Sequence, residues 1–236
     1  MKSAKGTLAT ISVCVALAAV VPFFVPQPSH SHYKDPSAKE VHRYVVFADT
    51  HFYGAHGLND LALAYGPDTF YLGDIYDLKN AAKDDVEKAE KAIRQLRDRA
   101  GKRYVRGNHE VYAFGAGAKA EDYYTTQGGI LFTHGHYNIC YSDEEVTKWE
   151  SAKAGAGTFK RAGRKWLEGV VEKPDRPRRE AVTHAAEMVV RHNKAHPDDP
   201  CHTIVFGHTH VKKVFAETVD KIRVVNVPMG MTELDL

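Results

Sequence analysis

Residues 44–51 read Tyr-Val-Val-Phe-Ala-Asp-Thr-His, an apolar run that ends directly in an aspartate and a histidine. An apolar run of this length predicts a buried strand, and the two polar residues then fall at its carboxyl end. In an open α/β sheet, functional side chains gather along the carboxyl ends of the strands. The stretch therefore predicts both a strand of an α/β fold and the first residues of a site at the edge of its sheet.

The same order of apolar run and polar motif recurs four times farther along the chain. The motifs are Gly73-Asp74-Ile75-Tyr76-Asp77 after residues 69–72, Gly107-Asn108-His109-Glu110 after residues 103–105, Thr133-His134-Gly135-His136 after residues 130–132, and Gly207-His208-Thr209-His210 after residues 203–206. Each motif alone occurs often by chance, but all five in one order are specific. Their residue types are typical of a two-metal hydrolytic site.

Length and composition indicate one ordinary globular domain. The chain has 236 residues, of which 43% are hydrophobic and 26% are charged, and this is enough for a well-buried core. The formal net charge of +2 gives no general affinity for polyanions. The composition is unusual in its 14 histidines, five of which lie in the motifs at positions that could bind metal.

Residues 1–25 are predicted to be a signal anchor or a signal peptide. Lys2 and Lys5 precede residues 7–25, which carry no charge and as a helix extend over about 28 Å, close to the thickness of a bilayer core. The small residues 16–18 resemble a cleavage site, whereas the apolar residues that continue to position 25 favour an anchor. The charge distribution predicts a catalytic domain outside the cytoplasm, with a membrane as a partner through residues 7–25.

Residues 26–40 are predicted to be a linker, and residues 41–236 the catalytic domain. Helices are expected over residues 58–65 and 84–100, and the last strands over residues 211–216 and 222–227.

Residues 137–200 interrupt the alternation of strands and helices as a helical, basic insertion. Its segment 158–170 has two interpretations: a basic amphipathic helix at a membrane or an anionic ligand, or a helix that packs on the core with a solvated basic face. Cys140 and Cys201 bracket much of the insertion and could form a disulfide in an exported protein, or stay unpaired.

The five motifs together resemble those of the calcineurin-like metallophosphoesterases. That family has the pattern Asp-x-His, Gly-Asp-x-x-Asp, Gly-Asn-His-Asp/Glu, a Gly-His or His-Gly element, and Gly-His-x-His, and the match extends over residues 43–228. The resemblance implies an α/β fold built as a β-sandwich flanked by helices, with metals at the strand ends. It also implies a phosphate ester as the substrate.

The resemblance assigns a ligand set to two divalent metal ions. One ion is held by Asp49, His51 and His210, the other by Asn108, His134 and His208, and Asp74 bridges them. A carboxylate suits the bridging place because its two oxygens can each bind a cation. Imidazole and carboxylate ligands suit Mn, Fe, Zn, Ni or Co without selecting one of them.

The resemblance also assigns the acid of the reaction. His109 donates a proton to the leaving group, and Asp77 pairs with it; the alternative for His109 is a structural group behind the ligands. His136 is expected to contact the substrate weakly or to support the ligands. In this interpretation, a hydroxide activated by the metals attacks phosphorus, so no protein nucleophile is required.

The sequence leaves several functions open within this chemistry. Leu78-Lys79 and His134-Gly135-His136 differ from the motifs of protein serine/threonine phosphatases, which argues against a phosphoprotein substrate. A phosphomonoester or phosphodiester is the first expectation, and a lipid-linked or nucleotide pyrophosphate at a membrane surface is the alternative. A non-catalytic interaction scaffold is a third hypothesis, which the complete ligand set and His109 disfavour. The sequence shows no dedicated nucleic-acid domain and leaves the oligomeric state open.

Overall fold

The computed structural model describes seven stretches of the chain, which are residues 29–38, 40–51, 66–76, 83–115, 119–139, 142–154 and 174–236. All of these stretches belong to one compact unit. Within them, none of the helices combines the length and the apolar character that crossing a lipid bilayer requires. The predicted segments 7–25, 58–65 and 158–170 lie outside the described residues.

Two β-sheets form the framework of this unit. The first has the order β1-β9-β2-β3 and consists of β1 (Ser29–Lys34), β2 (Arg43–Ala48), β3 (Thr69–Tyr71) and β9 (Gly230–Asp235). The second has the order β4-β5-β6-β8-β7 and consists of β4 (Tyr124–Gln127), β5 (Ile130–Thr133), β6 (Thr203–Phe206), β7 (Phe215–Val219) and β8 (Ile222–Asn226). Strands β2 and β3 are parallel, as are β5, β6 and β8.

The two sheets pack face to face around one apolar core. This core contains Val46 and Phe70 of the first sheet together with Phe132 and Val205 of the second, all at most 1% exposed. The rings of Phe70 and Phe132 stack with centroids 3.8 Å apart. Side chains from both sheets therefore share one hydrophobic layer, which is the arrangement of a β-sandwich.

Helices cover the outer faces of the sandwich. Helix α1 (Lys83–Ala100) places Ala89, Ile93 and Leu96 on one side, where they pack with Phe47 and Tyr71 of the first sheet. Residues at i, i+4 and i+7 lie on one face of a helix, so the predicted apolar stripe of this segment is its buried face.

The second sheet is covered by the helix that precedes β6. The short helices α2 (Val111–Phe114) and α3 (Ala120–Tyr123) are followed by α4 (Asp143–Ala154) and α5 (Arg179–Ala195). Val182, Ala185 and Val189 of α5 pack with Leu131 and Ile204 of the second sheet. The fold is therefore α/β with a sandwich flanked by helices, as the sequence predicted.

Most of the predicted helices and strands are present, but one predicted strand differs in type and another in position. The predicted strand at residues 103–105 is instead a 3-10 turn, Gly101–Arg103, followed by a single bridge between Tyr104 and Tyr71. The strand expected at 211–216 lies later, at Phe215–Val219, and residues 211–214 have no regular secondary structure.

The first strand lies in the segment predicted to be a linker. Its sequence, Ser-His-Ser-His-Tyr-Lys, has no apolar run, because β1 is an edge strand beside β9 and its outer side faces solvent. Strands β4 and β9 were also not predicted, for their sequences mix polar and apolar residues. Cys201 is buried and has no disulfide partner among the described residues. Cys140 lies outside them, so the pairing of these two cysteines stays a prediction.

Candidate metal centre

The five motifs meet at one end of the sandwich. Asp49 and His51 follow β2, Asp74 follows β3, His134 follows β5, and His208 follows β6. Since β2 runs parallel to β3 and β5 runs parallel to β6, each sheet brings two motifs to one edge. The ligand set is therefore supplied by both sheets.

Hydrogen bonds join the loops after these strands to one another. Within the first sheet, Asp49 N donates to the carbonyl of Gly73 at 3.2 Å, and within the second, Gly207 N donates to the carbonyl of His134 at 3.1 Å. The backbone N–H of His208 donates to Asp49 Oδ2 at 2.6 Å, which connects the two sheets. Motifs distant in the sequence thus share one rigid frame.

One group of ligand atoms forms around Asp49. Asp49 Oδ1 lies 3.2 Å from His210 Nε2 and 3.9 Å from His51 Nε2, and the two imidazole nitrogens are 3.3 Å apart. One ligand atom from each of these residues lies within 4.8 Å of the others. This is the set assigned to the first metal, and its size fits a single cation.

A second group forms around Asp74. Asp49, Asp74, His134 and His208 offer ligand atoms that again lie within 4.8 Å of one another. Asp74 Oδ2 is 3.4 Å from His134 Nε2, and His134 Nε2 is 3.0 Å from His208 Nδ1. Asp74 Oδ2 also lies 4.0 Å from His51 Nε2 of the first group, and Asp49 is a member of both groups.

Asn108 of the third motif lies beside the second group. Its Nδ2 donates to Asp74 Oδ2 at 3.2 Å, and the residue is 1% exposed. Among the described residues, its Oδ1 is buried without a hydrogen-bond partner. A buried acceptor without a donor is costly, and a bound cation satisfies it, so the residues present fit a metal here.

The histidines of the site are prepared for this role by their surroundings. His134 is fully buried, and its Nδ1 lies 2.7 Å from the carbonyl of Leu72 and donates to it, which leaves Nε2 as the ligand atom. Burial lowers the pKa of His134, but the carboxylates of Asp74 and Asp49 outweigh it and raise the pKa to about 9. Without a metal, His134 is therefore protonated at neutral pH, and a cation that binds at Nε2 has to displace that proton.

The pKa of His51 is shifted in the opposite direction from that of His134. Burial lowers its pKa to about 4, with the neighbouring His109 and His210 acting in the same direction against Asp74 and Asp49. A neutral imidazole is the form that binds metal. His51 therefore offers a free lone pair at neutral pH.

The backbone of the ligands is held in a conformation that side-chain-bearing residues seldom adopt. Positive φ angles occur at Asp49, His51, Asp74, His208 and His210, with values between 46° and 68°. In the described residues, the other non-glycine positions of this kind are Asp220 and Lys221, in the turn between β7 and β8. Strained backbone of this kind concentrates at functional sites, where the surrounding structure maintains it.

Two glycines allow the backbone to approach the two carboxylates. A Cβ atom on Gly107 would lie 2.3 Å from Asp74 Oδ1, and one on Gly207 would lie 2.4 Å from Asp49 Oδ2. Neither distance is compatible with a side chain, so only glycine fits at these places.

Two supporting residues were not singled out from the sequence. Glu110 is fully buried, and its carboxylate accepts hydrogen bonds from Asp74 N at 3.0 Å, Ile75 N at 3.3 Å and the Tyr104 hydroxyl at 3.0 Å. Burial and the charge of Asp74 raise the pKa of Glu110 to about 7. In the sequence, the signal that could have identified Glu110 was its position directly after His109 in the third motif.

Asn226, at the end of β8, supports the fifth motif in the same way. Its Nδ2 donates to the carbonyls of Phe206 and Gly207 at 2.9 and 3.0 Å, and its Oδ1 accepts from Thr209. A polar residue inside the apolar run 222–227 was the sequence signal for it.

Of the two residues predicted to act in catalysis, the structure describes His109. His109 lies beside the ligands, with Nε2 3.8 Å from Asp74 Oδ2 and its ring centroid 4.8 Å from that of His51. Its side chain is 14% exposed, so it opens toward solvent more than the ligand His134 does. Asp77 lies outside the described residues, so its pairing with His109 stays a prediction.

His136 is placed behind the ligands rather than on the solvent side. It is fully buried, and its Nε2 lies 3.3 Å from Glu150 Oε1. This placement favours the supporting role over the predicted contact with substrate.

The family model of the calcineurin-like phosphoesterases matches residues 42–212. No curated protein matches the chain. Among solved structures, it is similar to a protein serine/threonine phosphatase from Saccharomyces cerevisiae with similarity to human phosphatase PP5, at 16% identity and a TM-score of 0.38, with 93% of this chain and 77% of that chain covered.

Proposed function

The chain belongs to the calcineurin-like phosphoesterase family and is a metal-dependent phosphoric ester hydrolase, and from that premise we propose that it hydrolyses a phosphomonoester or phosphodiester with two divalent metal ions. The observation that carries the proposal is the position of Asp74. Its carboxylate lies between one ligand group that contains His51 and another that contains His134. Two such groups with a shared carboxylate are the arrangement that a two-metal site needs.

Asp49 belongs to both groups of ligand atoms, so the division of the ligands between the two ions follows the family resemblance. Asp49, His51 and His210 would hold one ion, Asn108, His134 and His208 would hold the other, and Asp74 would bridge them. When bound, the metals polarise the phosphate ester and lower the pKa of water toward ~7, which makes hydroxide available at neutral pH. Mn, Fe, Zn, Ni and Co all suit these nitrogen and oxygen donors.

We assign His109 as the general acid. Its imidazole stands beside Asp74 and is partly open to solvent, which is the side from which a leaving group would depart. Its backbone N–H donates to Asp74 Oδ1 at 2.6 Å, so the ring is held at a set place relative to the ligands. Asp77 is proposed to orient that ring.

Hydrolysis of two aryl esters tests the proposal. A chain of residues 26–236, which retains β1, is assayed with an aryl phosphate monoester and an aryl phosphate diester, with added Mn²⁺ or with chelator. Turnover that depends on metal supports the proposal, and the ratio of the two rates divides a phosphatase from a phosphodiesterase. No turnover of either ester with two metals bound per chain would reject it in favour of a pyrophosphate substrate or a scaffold.

We also propose that the catalytic domain lies outside the cytoplasm, tethered or exported by residues 7–25. The support is the uncharged run itself, preceded by Lys2 and Lys5. Protease digestion of intact cells that produce the full chain is the test. Degradation of the domain while the cells stay intact agrees with the proposal. A domain that the protease does not reach, and that appears in the soluble fraction after lysis, contradicts it.

A further inference from the structure

A buried carboxylate behind the metal centre joins three parts of the chain. Glu150 lies in α4, inside the predicted insertion, and is fully buried. Its Oε2 accepts hydrogen bonds from Arg106 Nη2 and from the Tyr123 hydroxyl, each at 3.1 Å. Its Oε1 lies 3.3 Å from His136 Nε2. An ionised carboxylate remains stable away from water only with partners of this kind.

Arg106, which pairs with Glu150, lies at the start of the loop that carries the third motif. It stands directly before Gly107-Asn108-His109-Glu110, and its guanidinium also donates to the carbonyl of Gly115. One side chain therefore bridges the beginning and the end of the loop that presents Asn108 and His109. The ion pair with Glu150 attaches this loop to α4.

The partner His136 extends the same connection to the fourth motif. It lies two residues after the ligand His134, and the two ring centroids are 5.2 Å apart. On its other side, the ring lies 5.7 Å from that of Trp149, the neighbour of Glu150 in α4. Glu150 thus holds two of the loops that are proposed to present ligands of the second metal, those of Asn108 and His134.

We propose that Glu150 is a positioning residue of the metal centre, which sets the loops of Asn108 and His134 and so couples the insertion helix to the second metal. This inference rests on the two-metal function proposed above. Because both loops supply the same ion, a change at Glu150 is expected to affect the two ions unequally.

The test compares the full-length chain with three variants. Glu150→Gln keeps the shape of the side chain but removes its charge, and Tyr123→Phe removes one hydrogen bond to Glu150 while keeping the ring. Asn193→Ala is the matched control, since Asn193 hydrogen-bonds the backbone of Cys201 at the start of β6, opposite the metal centre. Calorimetry measures the two Mn²⁺ affinities, an aryl phosphate assay gives kcat and KM, and thermal unfolding gives stability.

The expected result is selective. Glu150→Gln weakens one of the two Mn²⁺ sites by about 10–100-fold, the range typical of groups that orient ligands. At limiting Mn²⁺ its kcat falls while KM changes less, and saturating Mn²⁺ restores kcat. Tyr123→Phe shows the same pattern to a smaller extent, and Asn193→Ala lowers the unfolding temperature with both affinities retained.

Other outcomes overturn the inference. If Glu150→Gln behaves as Asn193→Ala does, Glu150 has a purely structural role. If Glu150→Gln does not fold, Tyr123→Phe decides alone, and wild-type affinities in that variant reject the proposal. If the wild-type chain binds two Mn²⁺ ions but hydrolyses no ester, the proposed function fails while the comparison of affinities still decides the role of Glu150. If the wild-type chain does not bind two Mn²⁺ ions, both the proposed function and the proposed role of Glu150 are rejected.

Discussion

Where β1 pairs with β9, each histidine contacts one carboxylate, whereas at the metal centre several histidines lie near the same two carboxylates, Asp49 and Asp74. In the β1–β9 edge, His30 Nε2 lies 3.1 Å from Glu233 Oε1 and His32 Nε2 lies 3.0 Å from Asp235 Oδ2. These two histidine side chains are 61% and 52% exposed. In the metal centre, Asp49 and Asp74 are at most 2% exposed, and each lies near several imidazoles.

The comparison shows that residue type and contact distance do not by themselves make a metal site. An exposed pair competes with water and salt, so it contributes little free energy and needs no further cation. Two carboxylates removed from water repel each other and are stable only with positive charge between them. Asp235 is itself only 5% exposed, so the convergence of several imidazoles on two neighbouring buried carboxylates, rather than burial alone, distinguishes the metal centre. This contrast leads to four graded predictions.

The largest effect is expected from Asp74→Asn, with Glu233→Gln as the matched change at the β1–β9 edge. Loss of the shared carboxylate lowers kcat/KM by about 10³-fold, which corresponds to the several kcal/mol that metals contribute to such reactions. Glu233→Gln leaves kcat/KM unchanged. Steady-state kinetics on an aryl phosphate measure both, and equal effects of the two variants would contradict the contrast drawn between the regions.

A smaller effect is expected from His109→Asn, with His32→Asn as its control. Loss of a general acid slows turnover by about 10²-fold, and the loss is larger for an alkyl ester than for an aryl ester because an alkoxide is the poorer leaving group. Two bound Mn²⁺ ions should be retained. A uniform loss across leaving groups, or loss of a metal, would instead assign His109 a structural role.

Glu110→Gln is expected to lower activity only through its effect on Asp74, whose backbone N–H the Glu110 carboxylate holds. Its amide cannot accept all three hydrogen bonds that the carboxylate accepts from Asp74 N, Ile75 N and Tyr104, so metal affinity falls by about 10-fold. Titration with Mn²⁺ followed by calorimetry measures this. Excess Mn²⁺ should restore most of the activity, and failure to restore it would show that more than metal affinity had changed.

The smallest effect concerns the stability of the β1–β9 edge. Hydrogen bonds from Arg43 and His32 lower the pKa of Asp235 below its ordinary value. A lowered pKa stabilises the folded state above the unfolded value of about 4 and loses that contribution as the pH falls through the folded value. Asp235→Asn should therefore lower the urea midpoint at pH 7 but change it less at pH 3.

High salt separates this contribution from the metal centre. Screening should reduce the effect of Asp235→Asn at pH 7, because its partners His32 and Arg43 are more than half exposed, although the Asp235 side chain is only 6% exposed. An effect that is equal at pH 7 and pH 3 would assign the stabilisation to packing rather than to charge.

Several elements could be predicted from local pattern because one physical cause controls them. The apolar stripe of α1 predicted residues 84–100, and the structure has a helix at Lys83–Ala100. The run 203–206 coincides with β6. In both, burial of apolar side chains decides the element, and that cause is visible in the order of residues along the chain.

Other elements depend on partners far away in the sequence. Strand β1 forms by pairing with β9, about 200 residues later, and its polar sequence contains no local signal for that register. The role of Glu150 likewise depends on Arg106, Tyr123 and His136, which come from separate segments. Local pattern carries no information on such pairings.

The sequence by itself determined which donor atoms this protein offers to metal, and that each set follows an apolar run. Tertiary structure decided that β2 and β3 belong to one sheet and β5 and β6 to another, and that the edges of both sheets meet. It also decided that His136 lies behind the ligands. The reason is physical: the residue types of a chain specify its chemistry, whereas distances of 3–4 Å between motifs arise only when the packed core closes the sheets on each other.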